Sequence, residues 1–365
     1  MNRIGIDARL LYYRRGGIPE YTRQLIQSLA ELDHDNEYSI VHHFRDKNSY
    51  IPAANFTRVN AFTPAHHKLE RTTLSIEMMP RRLNLFHSPD FIAPRYAAHK
   101  HIITIHDLHF LFHPEFLPPD GLSYYQNNIR ASVARADHIL VQTESTKQDV
   151  IARLGVPDEK ITVHLLGVNP EFRPLPAAEV SAHLAKYNLP DEYILFVGTV
   201  EPRKNLPNLF RACNLVREKY PDMPRLVLGG QPGWHVEQAT EDLDESVVTW
   251  IRGVPASDLA ALYSGAMMLV LPSFHEGFGM PAAEAMACGT PVVVTNRGSL
   301  PEVVGDAGLY IEPESVESIA NGMEQLLHNS DLRDRLQEKG LERAKQFTWQ
   351  RTAEIALQTY RKLLD

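Results

Sequence analysis

A chain of 365 residues with 44% apolar and 22% charged side chains can bury two ordinary cores and has the balance of a soluble globular protein. Its two cysteines, Cys213 and Cys288, allow at most one disulfide and fit a reducing compartment. The N-terminus lacks the apolar core of a signal peptide and no run reaches the roughly 18 apolar residues of a membrane span, so the expectation is a cytoplasmic protein. The net charge of −8 is uneven: residues 1–170 hold 19 basic and 18 acidic side chains, and residues 171–365 hold 18 and 27. That asymmetry suggests two units with different partners, with drift of surface charge as the plainer alternative; no nucleic acid is expected as a partner.

Short apolar runs alternate with longer amphipathic ones, the pattern of α/β architecture with parallel sheets. "RIGIDARLL" reads as a first strand, closed by the Gly16/Gly17 turn, and "PEYTRQLIQSLAEL" as a helix with Tyr21, Leu25, Leu29 and Leu32 on one stripe. Strands follow at "EYSIVHHF", "LFHS", "HIITIH" and "HILVQT". The last leads into a helix that Ser145 or Thr146 would cap and Gly155 would end. "HHKLERTTLSIEMMPRR" reads as a sheet-covering helix, with peripheral contact to an anionic membrane surface as the other use of its mixed basic and apolar residues. "KITVHLLG" closes the first half. Three prolines within 170–176 then predict a linker.

The second half repeats the scheme. Strands are expected at "YILFVGTV", "RLVLGG", "SVVTWI", "MMLVLPS", "PVVVT" and "GLYIEP", with helices between them and three more before the C-terminus. In such sheets ligands bind beyond the carboxyl ends of the strands, so the loops there carry the chemistry.

After "MMLVLPS" comes "FHEGFGMPAAEAMACG". Gly277 and Gly279 let a backbone approach a ligand, with Phe278 between them, and Pro281 suits a helix start whose free N–H groups favour a phosphate. Glu284, one turn into that helix, could accept hydrogen bonds from a ribose, and Glu276, ahead of it, from a second set of hydroxyls. The plainer alternatives make Glu276 a helix cap and Glu284 a solvated acid. After "YILFVG", Arg203 and Lys204 stand where two fixed cations would stabilise a departing diphosphate without a metal; the plainer alternative is a solvated basic pair. "TIHDLHF" puts His106 and Asp107 at a strand end, in a sugar pocket or in a structural role. The D-x-D at Asp242 and Asp244 lies in an acidic run with no apolar strand before it and reads as a solvated face.

These segments together resemble glycosyltransferase family 4, retaining enzymes that use nucleotide-activated sugars. The likeness rests on "FVGTVEPRKNLPNLFRA", on the 254–313 stretch, and on Glu276 and Glu284 as an E-x7-E pair; it is strong over about 135–313 and looser over 1–130. It implies a GT-B fold: two Rossmann-like doubly wound domains facing a cleft, an acceptor-side domain 1–170 that takes back a helix over 348–365, and a donor-binding domain 171–347. It further implies that Arg203 and Lys204 hold the donor diphosphate and that Glu284 binds the ribose. Glu276, with the backbone of Gly277, Phe278 and Gly279, would hold the sugar and phosphate. Gly16 and Gly17 would approach the phosphates, and His106 would line the reaction centre. No metal or other cofactor is implied. The expected reaction is retaining transfer of a hexose, with mannose from a GDP-sugar favoured, onto a polysaccharide or lipid-linked oligosaccharide, by a protein that is cytoplasmic or peripheral at the inner membrane face. The alternatives are a sugar-nucleotide epimerase or hydrolase on the same fold, and a non-catalytic nucleotide-sugar-binding subunit of a polysaccharide synthase. The sequence departs from the family where Gly198-Thr199 replaces the common Gly-Arg, and where "GGIPE" replaces "GGIGR".

Overall fold

A computed structural model describes residues 1–13 and 16–365. The chain divides into two compact units, one made of residues 1–112, 119–167 and 348–365, the other of 113–118 and 168–347. The short 113–118 segment joins the second unit through Phe116, whose ring stacks on Phe274 at 5.6 Å.

The first unit is built on seven parallel strands: β1 (Arg3–Asp7), β2 (Glu37–His43), β3 (Phe56–Ala61), β4 (Leu83–Ser88), β5 (Ala98–Ile105), β6 (His138–Val141) and β7 (Ile161–Val163). Their spatial order is β3-β2-β1-β4-β5-β6-β7. The second unit has six: β8 (Tyr193–Val197), β9 (Arg225–Gly229), β10 (Val248–Ile251), β11 (Met268–Leu271), β12 (Val292–Thr295) and β13 (Gly308–Ile311), in the order β10-β9-β8-β11-β12-β13. Helices cover both faces, so central strands such as "YILFV" and "VVVT" are buried along their whole length. The edge strand β3, "FTRVNA", instead buries Phe56, Val59 and Ala61 and exposes Thr57 and Asn60, and the sequence reading passed over it.

Several boundaries differ from the sequence reading for local reasons. The first strand stops at Asp7, because Asp7 turns back to hold Arg9 and a short helix begins at Leu10. The helix Glu144–Leu154 is capped by Thr143, whose Oγ1 accepts from Thr146 N at 3.2 Å; Ser145 and Thr146 both lie inside it, and Gly155 ends it at φ 68°. The segment "KITVHLLG" pairs only over Ile161–Val163. Straight after the prolines a helix forms, Ala177–Leu184, which the proline count had masked. The long helix Pro119–Arg135 was also not foreseen. The helix Glu70–Met78 does cover the sheet: it buries Leu74 and Met78 and leaves Ile76 exposed.

The terminal helix Trp349–Leu364 belongs to the first unit. Gly167 allows its start to pass so close that a Cβ there would sit 2.2 Å from Trp349 N. Thr352 Oγ1 donates to Leu165 O at 2.6 Å. Near its end the Tyr360 hydroxyl meets His87 Nδ1 at 2.6 Å, and His87 Nε2 meets Thr104 at 2.9 Å, so the helix is pinned to β4 and β5 by a buried polar chain. Among the described residues no helix is long and apolar enough to cross a membrane.

Candidate active site

The central strands β8 and β11 of the second unit lie side by side, paired at Met268↔Ile194 and Leu269↔Leu195. Beyond them strand order runs outward in opposite directions, so the loops at their carboxyl ends diverge. That divergence is the topological switch point, where open α/β sheets hold ligands. The loop after β8 carries Arg203 and Lys204 in a single tight turn, Pro202–Lys204. Asn205 follows in the left-handed region at φ 58°, and its Nδ2 donates to Pro272 O (3.0 Å) and Pro313 O (2.6 Å). Phe274 N donates to Arg203 O at 3.0 Å. The Asn205 side chain and one backbone hydrogen bond thus stitch the two loops together.

Glu276 sits between them, buried, with Lys204 Nζ 2.6 Å from Oε1 and Arg203 Nη1 3.0 Å from Oε2. The same Arg203 Nη1 donates to His275 O at 2.7 Å, and Arg203 Nη2 reaches buried Glu201 at 2.9 Å. Burial pushes the Glu276 carboxyl up, but Lys204 and Arg203 outweigh it and hold it at about 2. It is therefore an anion at any physiological pH. The basic pair is not solvated; both members are engaged with carboxylates, two cations against two anions. Nor is Glu276 a helix cap: the helix Met280–Ala287 starts from Gly279, at φ 92°, without a side-chain cap.

A loop that sequence reasoning did not single out fixes the backbone of Glu276. Ser299 Oγ donates to Glu276 O at 2.7 Å, and Gly298, at φ 59°, lies so near that a Cβ would come within 2.9 Å of that oxygen. Glu201, Asn205 and Ser299 were the missed residues. Their only sequence signal was position, at the ends of "FVGTV" and "PVVVT", where any polar residue is a candidate.

One turn into the helix, Glu284 is half-buried, and the Tyr263 hydroxyl donates to its Oε2 at 2.8 Å. It is therefore a held carboxylate. Gly277 and Gly279 are buried between the loops, and the Phe278 ring packs edge-on against Phe347 at 5.6 Å, which turns that side chain into the core.

Gly16, Gly17 and His106 belong to the first unit. Gly16 holds φ 135° immediately before the helix Gly17–Leu32, and a Cβ at either glycine would meet nothing within 4 Å. His106 Nε2 donates to Pro89 O at 2.7 Å, which leaves Nδ1 to accept from Gln142. Burial lowers its pKa, so the ring is neutral with both nitrogens engaged. Its neighbour Asp107 is turned to His109 at 2.6 Å.

Among the described residues no group of three or more His, Cys, Asp or Glu side chains is placed to hold a metal. Asp242 pairs with Arg211 at 2.7 Å and Asp244 accepts from Ser246 N at 2.8 Å, each tied locally.

Two doubly wound parallel units in one chain make up the GT-B architecture. The model "Glycosyltransferase Family 4" matches residues 15–172, and "Glycosyl transferases group 1" matches residues 182–343. The O-antigen chain mannosyltransferase B of Escherichia coli is 33% identical, with 96% of this chain and 97% of that protein aligned. Sucrose-phosphate synthase of Thermosynechococcus elongatus superposes with a TM-score of 0.78 at 21% identity, over 100% of this chain and 99% of that one. The HepE protein of Anabaena, solved with UDP-glucose, gives 0.75 at 16% identity over the same shares; both share the fold. The chain belongs to glycosyltransferase family 4 and is a hexosyltransferase.

Proposed function

We propose that the protein transfers mannose, with retention of configuration, from a GDP-sugar to the end of an O-antigen-type polysaccharide. The observation that carries this reading is the buried Glu276 carboxylate gripped by Lys204 and Arg203 at the switch point. A donor brings its own anion, the diphosphate, and hydroxyls that seek an acceptor. The two cations turn from Glu276 to the phosphate oxygens, and the released carboxylate accepts hydrogen bonds from the hexose. The C1–oxygen bond to the diphosphate then breaks, with the charge that develops on the leaving oxygen stabilised by Arg203 and Lys204. The acceptor hydroxyl adds to C1 on the same face and its proton passes to the departing diphosphate, so no protein nucleophile and no metal are used. Glu284, held by Tyr263, takes the ribose hydroxyls. Gly16 and Gly17, at the start of the first unit's helix Gly17–Leu32, keep backbone N–H groups open to an oxyanion. His106, neutral and doubly engaged within the first unit, moves no proton.

Mannose is favoured by the name of the Escherichia coli relative, as is an O-antigen chain as acceptor. Contact with an anionic bilayer, at the inner face of the membrane, is supported by exposed Ile76 and Met79 beside Arg81 and Arg82. The test of the donor is a thermal-shift screen of GDP, UDP, ADP and dTDP. A nucleotide at 100 times its dissociation constant stabilises the fold by about 2.7 kcal/mol. GDP should give the largest shift; no shift with any of the four would overturn the reading.

A further inference from the structure

Ser273, in the loop after β11, stands between two fixed points. Pro272 O accepts from Asn205 Nδ2 at 3.0 Å, and Phe274 N donates to Arg203 O at 3.0 Å, so the main chain at Ser273 is pinned on both sides. The residue is wholly buried, yet its Oγ has no hydrogen-bond partner among the described residues. A buried hydroxyl in that state costs stability unless another state of the protein employs it.

Its neighbour is the Glu276 carboxylate. Burial raises that carboxyl, Lys204 and Arg203 lower it, and Ser273 adds to the lowering. The hydroxyl therefore lies beside the carboxylate without being aligned on it. Both carboxylate oxygens already hold cations, Lys204 Nζ at 2.6 Å and Arg203 Nη1 at 3.0 Å. The Glu276 main chain is fixed as well, its O accepting from Ser299 N at 3.2 Å and from Ser299 Oγ at 2.7 Å. With both backbones held, the motions left are rotations of the two side chains, the carboxylate on its stem and the hydroxyl about its own bond.

When a donor diphosphate draws Lys204 and Arg203 away, Glu276 keeps its charge and its burial but loses both counter-ions. Removing the partner of a buried charge is strongly destabilising. Ser273 Oγ–H, beside the carboxylate and unused, can supply a charge-assisted hydrogen bond at that moment. We propose that Ser273 is a positioning residue for Glu276, turning its hydroxyl onto the carboxylate when the cations go to the diphosphate. The proposal rests on the chain taking a nucleoside diphosphate donor at Arg203 and Lys204. Thr295, at the end of β12, offers a comparison: its Oγ1 is buried and unpartnered in the same way, on a different strand.

The test is a double-mutant cycle on the whole protein: wild type, Ser273→Ala, Glu276→Gln and the double variant, each titrated calorimetrically with GDP and with UDP. Ser273→Ala should weaken GDP binding by about tenfold, the scale of one hydrogen bond to a charged group. In the Glu276→Gln background the same change should weaken it by less than about twofold, because no charge remains to be held. The ligand-free melting temperature of Ser273→Ala should equal that of wild type or exceed it, since an unpaired buried hydroxyl is removed. Thr295→Val should leave GDP affinity unchanged. Equal losses in the two backgrounds, or the same loss in Thr295→Val, would trace the effect to packing and overturn the proposal. A lower ligand-free melting temperature in Ser273→Ala overturns it too, because the hydroxyl is then already engaged. GDP affinity that Ser273→Ala leaves unchanged overturns it while sparing the donor reading. Wild type that takes UDP and not GDP overturns the guanine preference alone, and the UDP cycle is read in the same way. Wild type that binds neither nucleotide overturns the donor reading and the proposal together.

Discussion

Replacing Glu276 by glutamine keeps the side chain's shape and removes one charge from a cluster of four. The carboxyl is held at about 2 against an ordinary 4.5, with burial raising it and Lys204 and Arg203 lowering it further. At 1.36 kcal/mol per pH unit, that shift corresponds to about 3 kcal/mol of folding stability. The folded-state pKa lies below the unfolded one, so this contribution is complete above about 4.5 and is lost as the pH falls through about 2. The glutamine carbonyl still accepts from one cation, which sets the expected loss at roughly 2–3 kcal/mol at pH 7. Urea melts of the two proteins should therefore differ at pH 7 and converge in strong acid. Function should separate from stability. Arg203 and Lys204, freed of their internal anion, should bind GDP as tightly as before or more tightly, by calorimetry. Turnover should fall by about 10² or more, because the hexose loses its acceptor carboxylate. GDP affinity that falls in step with turnover, or a variant as stable as wild type at pH 7, would refute the reasoning.

Glu284→Gln should weaken donor binding by roughly 1–3 kcal/mol with turnover at saturation little changed, and Tyr263→Phe should follow it more weakly, both measured by calorimetry and steady-state rates. Activity should survive EDTA and the Asp242→Asn change; loss on chelation with rescue by manganese would revive the D-x-D. Burial holds His87 at about 3 and His164 at about 4, well below the ordinary 6.5, so the first unit favours their neutral forms. The unfolded chain takes up protons from 6.5 downward, so stability should be full above that pH and decline toward pH 4, followed by Trp349 fluorescence. Tyr360→Phe, which removes the hydroxyl at His87, should cost about 1 kcal/mol in the same melts.

What the sequence made legible was what depends on local pattern. The apolar runs of parallel strands, the stripe of Tyr21, Leu25 and Leu29, the glycine stop at Gly155 and the terminal helix beginning at Trp349 each follow from neighbours a few residues apart. The candidate residues Arg203, Lys204 and Glu276 were picked out as separate loops, and the structure joins them in one ion-paired group. That joining was not legible, because Glu201, Asn205 and Ser299 act across strands far apart in the chain. The mixed polar and apolar residues of β3 resemble a loop unless the neighbouring strand is known. Thr143 takes the cap from Ser145 and Thr146 because cap position depends on where the strand releases the backbone, which side-chain type alone does not set.

The central claim is retaining transfer from a nucleotide-activated mannose, and the anomeric outcome tests it most directly. The purified protein is incubated with GDP-mannose, labelled with carbon-13 at C1, and a mannose-terminated oligosaccharide. The one-bond carbon–proton coupling at the new linkage then reports the configuration. The account predicts one α-linked mannose added for each GDP released. A β-linked product, or GDP released with free mannose alone, would contradict it.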